Sequence, residues 1–252
     1  SIIGRCARTG AFGGAITTSR TVFVDRNRTV KSIAFDNANK YAITGTGSLT
    51  LEADTGNAAI DVVQGDHEIQ VQVTLSSDTD VTVTSGSLDF NNEIDLGNNT
   101  LSISGNVNIN HRTIGGGAVV NTGALGTSGF SSIGGDLIST GSLVVDLGEN
   151  QTDFFFVSGL ATLEGTLDVV LEPGVEPTGS VTVLTAAGGL KAEGLTLDAS
   201  DAANFSLEVV GNHLVLSVPE PGCLMLLATA CLIFAVRRRV LGTIVLAMTI
   251  AI

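Results

Sequence analysis

Tryptophan is absent from this 252-residue chain, and tyrosine occurs once, at Tyr41. Carbohydrate platforms rest on exposed aromatic faces, so few of them can be built here. Cysteine is nearly missing as well. Cys6, Cys223 and Cys231 leave everything between the first two without a thiol, which excludes a disulfide scaffold or a cysteine zinc site there. Cys223 and Cys231 fall in an apolar run, where small buried thiols are the ordinary reading. Positive charge is scarce in the middle of the chain. Seven of the twelve basic residues precede Tyr41, three are Arg237, Arg238 and Arg239, and only Arg112 and Lys191 lie between. With a net charge of −13, that surface repels nucleic acid and anionic headgroups. Lyases acting on uronates need a positive centre, and this stretch offers little for one. No P-loop, nucleophile elbow or dinucleotide fingerprint occurs, and nothing points to a cofactor. No segment before Gly222 carries a sustained helical period.

What is plentiful is glycine, 31 residues, in a chain 44% hydrophobic and only 15% charged. That composition suits many short strands joined by turns. Short strands are expected at 22–24, 30–35, 41–43, 48–51, 59–63, 69–73, 81–83, 87–90, 100–103 and 107–109. Gly, Asn and Asp punctuate them. A loose unit recurs: Gly47-Ser48-Leu49-Thr50-Leu51, Gly86-Ser87-Leu88-Asp89-Phe90, Asn99-Thr100-Leu101-Ser102-Ile103, Gly141-Ser142-Leu143-Val144-Val145 and Gly165-Thr166-Leu167-Asp168-Val169. Each is a turn residue, a hydroxyl, and two apolar side chains that share one face of a strand. One coil of such strands cannot bury its own face, so coils stack into a β-solenoid. The spacing is irregular, and a β-sandwich, built from the same strands and turns, remains the alternative.

The chain divides into an irregular stretch at 1–20, solenoid repeats at 21–140 and a more compact β cap at 141–218. Gly115 to Gly135 is expected to be loop or poorly formed coils. Phe205 to Val210 and His213 to Val218 are expected to close the cap as a hairpin across Gly211-Asn212. The segment 1–20 has no apolar core of signal-peptide length. The expectation is a fragment, with its leader and earlier repeats upstream.

Chemistry-bearing residues are few. His67, His111 and His213 lack metal-ligand spacing and are expected to be solvated. Asp78 and Asp80 would share a strand face and could hold Ca²⁺ with Asp66 or Glu68, but a solvated acidic face is the preferred reading, so no metal is expected. Paired carboxylates for glycan hydrolysis cannot be placed from sequence, and no catalytic residue is assigned.

Past Val218 the texture changes. Pro219-Glu220-Pro221 blocks helix, 222–236 is an uncharged apolar run, and Arg237 to Arg239 close it. As a helix the run spans about 22 Å, short of a bilayer core of about 30 Å. It crosses only if the arginines snorkel or the bilayer thins. The positive-inside rule puts the arginines in the cytoplasm and the rest outside. Residues 240–252 add a second apolar segment, too short to span alone. It lies at the interface, forms half a hairpin, or is an artefact of the gene boundary.

Val218, Pro219, Glu220 and Pro221, the apolar run and the arginine cluster together resemble the PEP-CTERM sorting signal. That resemblance implies export, recognition by an exosortase in the membrane, and release to the cell surface or extracellular matrix. An ordinary C-terminal anchor is the alternative. The stretches 29–36 and 41–51 resemble autotransporter-associated β-strand repeat proteins, and 153–167 resembles the C-terminal β module of the same secreted families. This second resemblance covers about 21–218 and implies a right-handed parallel β-helix without catalysis. The combined expectation is an all-β, non-enzymatic surface or matrix structural protein with one C-terminal transmembrane helix. A surface adhesin binding extracellular polysaccharide is the alternative, ahead of a polysaccharide-degrading enzyme.

Overall fold

Alternation of buried and exposed residues sets the strands, and glycine sets the corners between them. The structure, a computed structural model, describes residues 8–14, 16–148, 152–173, 175, 179–198 and 205–218. Twenty-six strands and no helix occur among them. They form a parallel β-solenoid of about seven turns. At about 4.8 Å per rung, the stack is about 35 Å tall.

Each turn contributes one strand to each of three faces. The first face stacks β1 (Thr9–Phe12), β4 (Ser32–Asp36), β7 (Ala58–Gln64), β10 (Thr79–Val83), β13 (Thr100–Ser104), β16 (Ala118–Asn121) and β19 (Asp136–Ser139). The second stacks β2 (Arg20–Val24), β5 (Tyr41–Gly45), β8 (Asp66–Ile69), β11 (Ser87–Phe90), β14 (Asn106–Ile109), β17 (Ala124–Gly126) and β20 (Ser142–Leu147). The long β22 (Ala161–Leu171) pairs with β19 through its first part and β20 through its second, so it joins both faces into one sheet. β24 (Leu190–Leu197) then pairs parallel along β22. The third face holds β3 (Arg28–Val30), β6 (Leu49–Leu51), β9 (Val73–Leu75), β12 (Ile94–Asp95) and β15 (Thr113–Ile114). A parallel bridge from Arg112 to Ser132 leads to β18 (Phe130–Ile133), β21 (Phe154–Val157) and β23 (Ser180–Ala186). Among the described strands the sense reverses there, apart from a single antiparallel bridge between Leu147 and Thr152. β26 (His213–Ser217) runs antiparallel to β23 and to β25 (Ser206–Val210), with Gly211 at φ 62 in the turn between. Parallel ladders everywhere else exclude the sandwich.

The inward residue of each rung sits on the inward residue of the next. Ile69 and Phe90, and Phe90 and Ile109, are register partners on the second face, and all three are buried. Strands so stacked bury every inward side chain between coils, at about 1.5–3 kcal/mol for a large apolar one. The corner between the first two faces is a column of glycines: Gly65, Gly86, Gly105, Gly123, Gly141 and Gly165. At Gly86 φ is 94, and a Cβ would lie 2.1 Å from the Gly65 carbonyl oxygen. Backbones touch at this corner, so only glycine fits.

Several expected strands are cut by such corners. The stretch 30–35 breaks at Lys31 between β3 and β4, and 69–73 breaks between β8 and β9. Residues 115–135, expected as loop or poorly formed coils, build β16 to β18. Their glycines let the coils approach closely enough to stack in order. β24 had no counterpart among the expected strands.

Candidate functional site

Along the corner between the second and third faces runs a polar groove of about 520 Å³. Five consecutive coils line it, through Asn27, the Gly45–Ser48 turn, Gln72, Asn92 and Glu93, then His111 and Arg112. Glu93 is its centre. One carboxylate oxygen accepts a hydrogen bond from Gln72 Nε2 at 2.9 Å, and the other accepts from Arg112 Nε at 2.5 Å. The guanidinium also pairs through Nη2, and its side chain remains 56% exposed against 15% for Glu93. Asn92 donates to the Gln70 carbonyl at 3.0 Å and accepts from the Glu93 N–H at 2.8 Å. Ser48 N–H donates to Asn27 at 3.2 Å. The wall is a set of hydrogen-bonding groups tied coil to coil, one guanidinium facing water. Hydrolysis of a glycosidic bond uses two carboxylates set about 5–10 Å apart, and this lining contributes one, already held by Arg112.

The same coil-to-coil bonding covers the outer faces. Asp36 accepts from Gln64 at 2.9 Å, Asp89 from Asn108 at 2.7 Å, and Asn91 from Asn110 at 2.8 Å. Lys40 meets Glu68 at 3.7 Å, and Glu68 accepts from Asn91 at 3.2 Å. Exposed pairs of this kind add little stability each, but they hold adjacent coils in one register.

The four acids considered for Ca²⁺ are not brought together. Asp66 and Glu68 lie on β8, on the second face, whereas Asp80 is on β10 of the first face and Asp78 precedes it. Each has its own partner: Ser87 for Asp66, Asn91 for Glu68, the Thr100 N–H for Asp78 and Asn57 for Asp80. Among the described residues no group of three His, Cys, Asp or Glu could hold a metal ion.

His111 and His213 are exposed, but His67 is not; it is fully buried. The Tyr41 N–H donates to its Nδ1 at 3.0 Å, which leaves the ring proton on Nε2 to donate to the Gln64 carbonyl at 2.9 Å. Its ring stacks on Phe35 at 4.6 Å. The sequence carried a signal for this: His67 and Ile69 are two apart on one strand and share the inward face. Phe12, Phe35, Tyr41 and His67 thus form one aromatic column in the first coils.

A second acidic feature escaped sequence reading. Asp153 is buried, and its carboxylate accepts from the Gly129 N–H at 2.5 Å and the Asp146 N–H at 3.0 Å. Burial pushes the Asp153 carboxyl above the usual carboxylate range, against those two hydrogen bonds. Asp146 is raised too, by loss of solvent first and then by the charges of Asp153 and Glu172. Asp25 moves the other way, held down by hydrogen bonds from Arg28 and Arg26. About one coil before Asp153, Thr127 and Ser131 are buried with hydroxyls that have no partner among the described residues; Asn110 Oδ1 is a third such atom.

Of the sorting residues, Val218 is half-buried and its N–H donates to the Gly179 carbonyl at 2.9 Å. Pro219, Glu220, Pro221, Arg237, Arg238 and Arg239, with the apolar run between, lie outside the described residues. Among the described residues no helix is long and apolar enough to cross a membrane. Arg112 is in the groove, and Lys191 is exposed on β24. No protein-family model matches the sequence, and no curated protein matches it.

Proposed function

We propose that this chain is a non-enzymatic, exported structural protein of the cell surface or extracellular matrix. The observation that carries the reading is the way its side chains are used. Inward residues fill a continuous core from Val24 to Leu216, and many outward polar residues bind the coil above or below rather than converge on a reacting centre. Such a stack is a spacer whose length is set by coil number. In this reading the solenoid is right-handed, as parallel crossovers almost always are, and 141–218 serves as its end cap.

Delivery rests on the tail. Pro219 and Pro221 keep the approach extended, Glu220 is costly to bury and stays at the outer interface, and 222–236 spans as a helix. Arg237 to Arg239 fix its depth from the cytoplasm. An exosortase reading both motif and depth then releases the protein. Changing Pro219, Glu220 and Pro221 to Ala leaves insertion intact and stops processing, read as mass and location in an exosortase-bearing host. Equal cutting and release of the triple-Ala chain would reduce this tail to an ordinary anchor.

The groove around Glu93 favours a second reading, a surface adhesin that binds extracellular polysaccharide. Its wall of amides, one carboxylate and one guanidinium offers donors and acceptors suited to sugar hydroxyls. Glycan-array binding that Arg112→Ala abolishes would put this reading first. Release of reducing ends or unsaturated uronates would instead restore an enzyme.

A further inference from the structure

The two ends of the stack are unlike in charge, and among the described residues each ends on a strand without a further parallel neighbour. At the first end, β1 and β2 are hydrogen-bonded among the described residues on one side, to β4 and β5. At the last end, β24 lies along β22, and among the described residues no further parallel strand follows it. Both are parallel edges of one sheet, facing opposite ways along the stack. Unpaired edges present free N–H and C=O groups to another chain.

Among the described residues the core is also only partly covered at these ends. The half-buried apolar side chains packed against it include Phe12, Val22 and Val30 at the first end and Leu190, Ala192 and Leu197 at the last. An apolar hollow of about 200 Å³ opens among Phe12, Val22 and Val30. Beside it Phe23 is 65% exposed.

Charge then separates the two ends. From 8 to 31 there are five cations, Arg8, Arg20, Arg26, Arg28 and Lys31, and one acid, Asp25. Over β22 and β24 the balance inverts, with Glu164, Asp168 and Glu193 against Lys191.

We propose that a second copy of this chain docks head to tail, with β24 of one copy continuing the parallel sheet onto β1 and β2 of the next. A two-fold contact would set like ends together, cations against cations. A heterologous contact pairs unlike charge, matches parallel edge to parallel edge, and covers both apolar ends. It does not close on itself, so copies add into a string. The third face takes no part, because the β25–β26 hairpin turns antiparallel across its end.

Sedimentation of the full chain in mild detergent, across protein and salt concentration, tests this. The expected mass rises with concentration and falls with salt, which screens the contact. Arg8→Glu with Arg20→Glu weakens association about tenfold or more, and so does Glu164→Lys with Glu193→Lys. An equal mixture of the two variants is diagnostic. Neither variant joins its own kind, but mixed they meet alternately through one native and one charge-reversed contact, so association returns, as it does in a chain carrying all four changes. Circular dichroism checks that each variant keeps its strand content. A single-chain mass at every concentration would overturn the proposal, as it would if residues 1–7 cover the first end. A closed two-fold dimer, or association indifferent to these charge reversals as contact through the apolar tail would be, would overturn it equally.

Discussion

The coils from Ser32 to Ile109 and those from Thr113 to Asp153 share one ladder but are filled differently. Both fully buried phenylalanines of these coils, Phe35 and Phe90, lie in the first stretch, and its buried polar residues are Asn37, His67 and Thr79. The later stretch buries Leu125, Ile133, Leu137 and Leu143 as fully, but among them it also buries Thr113, Asn121, Thr127, Ser131, Ser139 and Asp153. Coil length does not separate the two stretches: partners on adjacent coils lie 28 residues apart at Asp36 and Gln64 and 19 at Phe90 and Ile109 in the first, and 18 at Asn121 and Ser139 and 24 at Leu137 and Ala161 in the second. Buried polar groups then need partners. Asn121 has them in Ser139 Oγ at 3.0 Å and the Ser142 carbonyl at 2.9 Å, as Asp153 does in two backbone N–H groups. Thr127 and Ser131 have none among the described residues. The comparison separates two ways to fill a rung over one glycine corner: layers of large apolar side chains alone, and polar clamps set among leucine and isoleucine.

The largest effect is expected where backbones approach most closely, in the later stretch. At Gly135 a Cβ would lie 1.6 Å from the Gly117 carbonyl oxygen. Gly135→Val should cost more than about 5 kcal/mol and remove cooperative thermal unfolding. Gly56, with φ 69 and nothing within 4 Å of a Cβ, serves as the control, and Gly56→Ala should cost about 1 kcal/mol.

Side-chain removal should then divide the two regions by sign. Phe90→Ala takes a fully packed ring from the first stretch and should cost about 3–5 kcal/mol. Thr127→Val removes an unpartnered buried hydroxyl at nearly constant volume and should stabilise by about 1 kcal/mol. Denaturant midpoints at constant slope measure both. A destabilising Thr127→Val would mean that the hydroxyl is satisfied.

The smallest effect depends on pH. Asp146 and Asp153 titrate above the ordinary value of 3.8 in the folded chain, so the folded state holds their protons more tightly than the unfolded state. Their contribution is most favourable below 3.8 and is lost as pH rises through the raised folded-state value. Asp146→Asn should therefore raise the melting temperature at neutral pH relative to the parent, with the gain vanishing in acid. A gain that persists in acid would trace to something other than charge.

Much of this was legible in the sequence, and the failures have physical causes. Leu88 and Phe90 alternate with polar neighbours, so β11 is plain. The recurring unit located corners but not one corner. Gly86, Gly141 and Gly165 open strands or half-strands of the second face, Asn99 opens β13 on the first, and Gly47 opens β6 on the third. Three corner types look alike because each needs a small or turn-forming residue and then an inward apolar pair. Corners such as Lys31 and Gln70 to Gln72 carry no glycine, so runs crossing them read as single strands. The groove around Glu93 was hidden because Gln72, Glu93 and Arg112 are separated by 21 and 19 residues, and only the stacking unites them. His67 was misread because histidine is usually solvated, while its partners, Tyr41 and Phe35, lie on other strands.

That packing against large apolar neighbours, rather than sheet hydrogen bonding alone, decides where the stack holds is most directly tested by native-state hydrogen exchange on the full chain in mild detergent. Both regions have the same parallel ladder, so the ladder alone predicts equal protection. Amides of β7, β10, β11 and β13 should exchange about tenfold or more slowly than those of β16 to β19. Equal protection in the two regions, or slower exchange in the polar coils, would contradict the account.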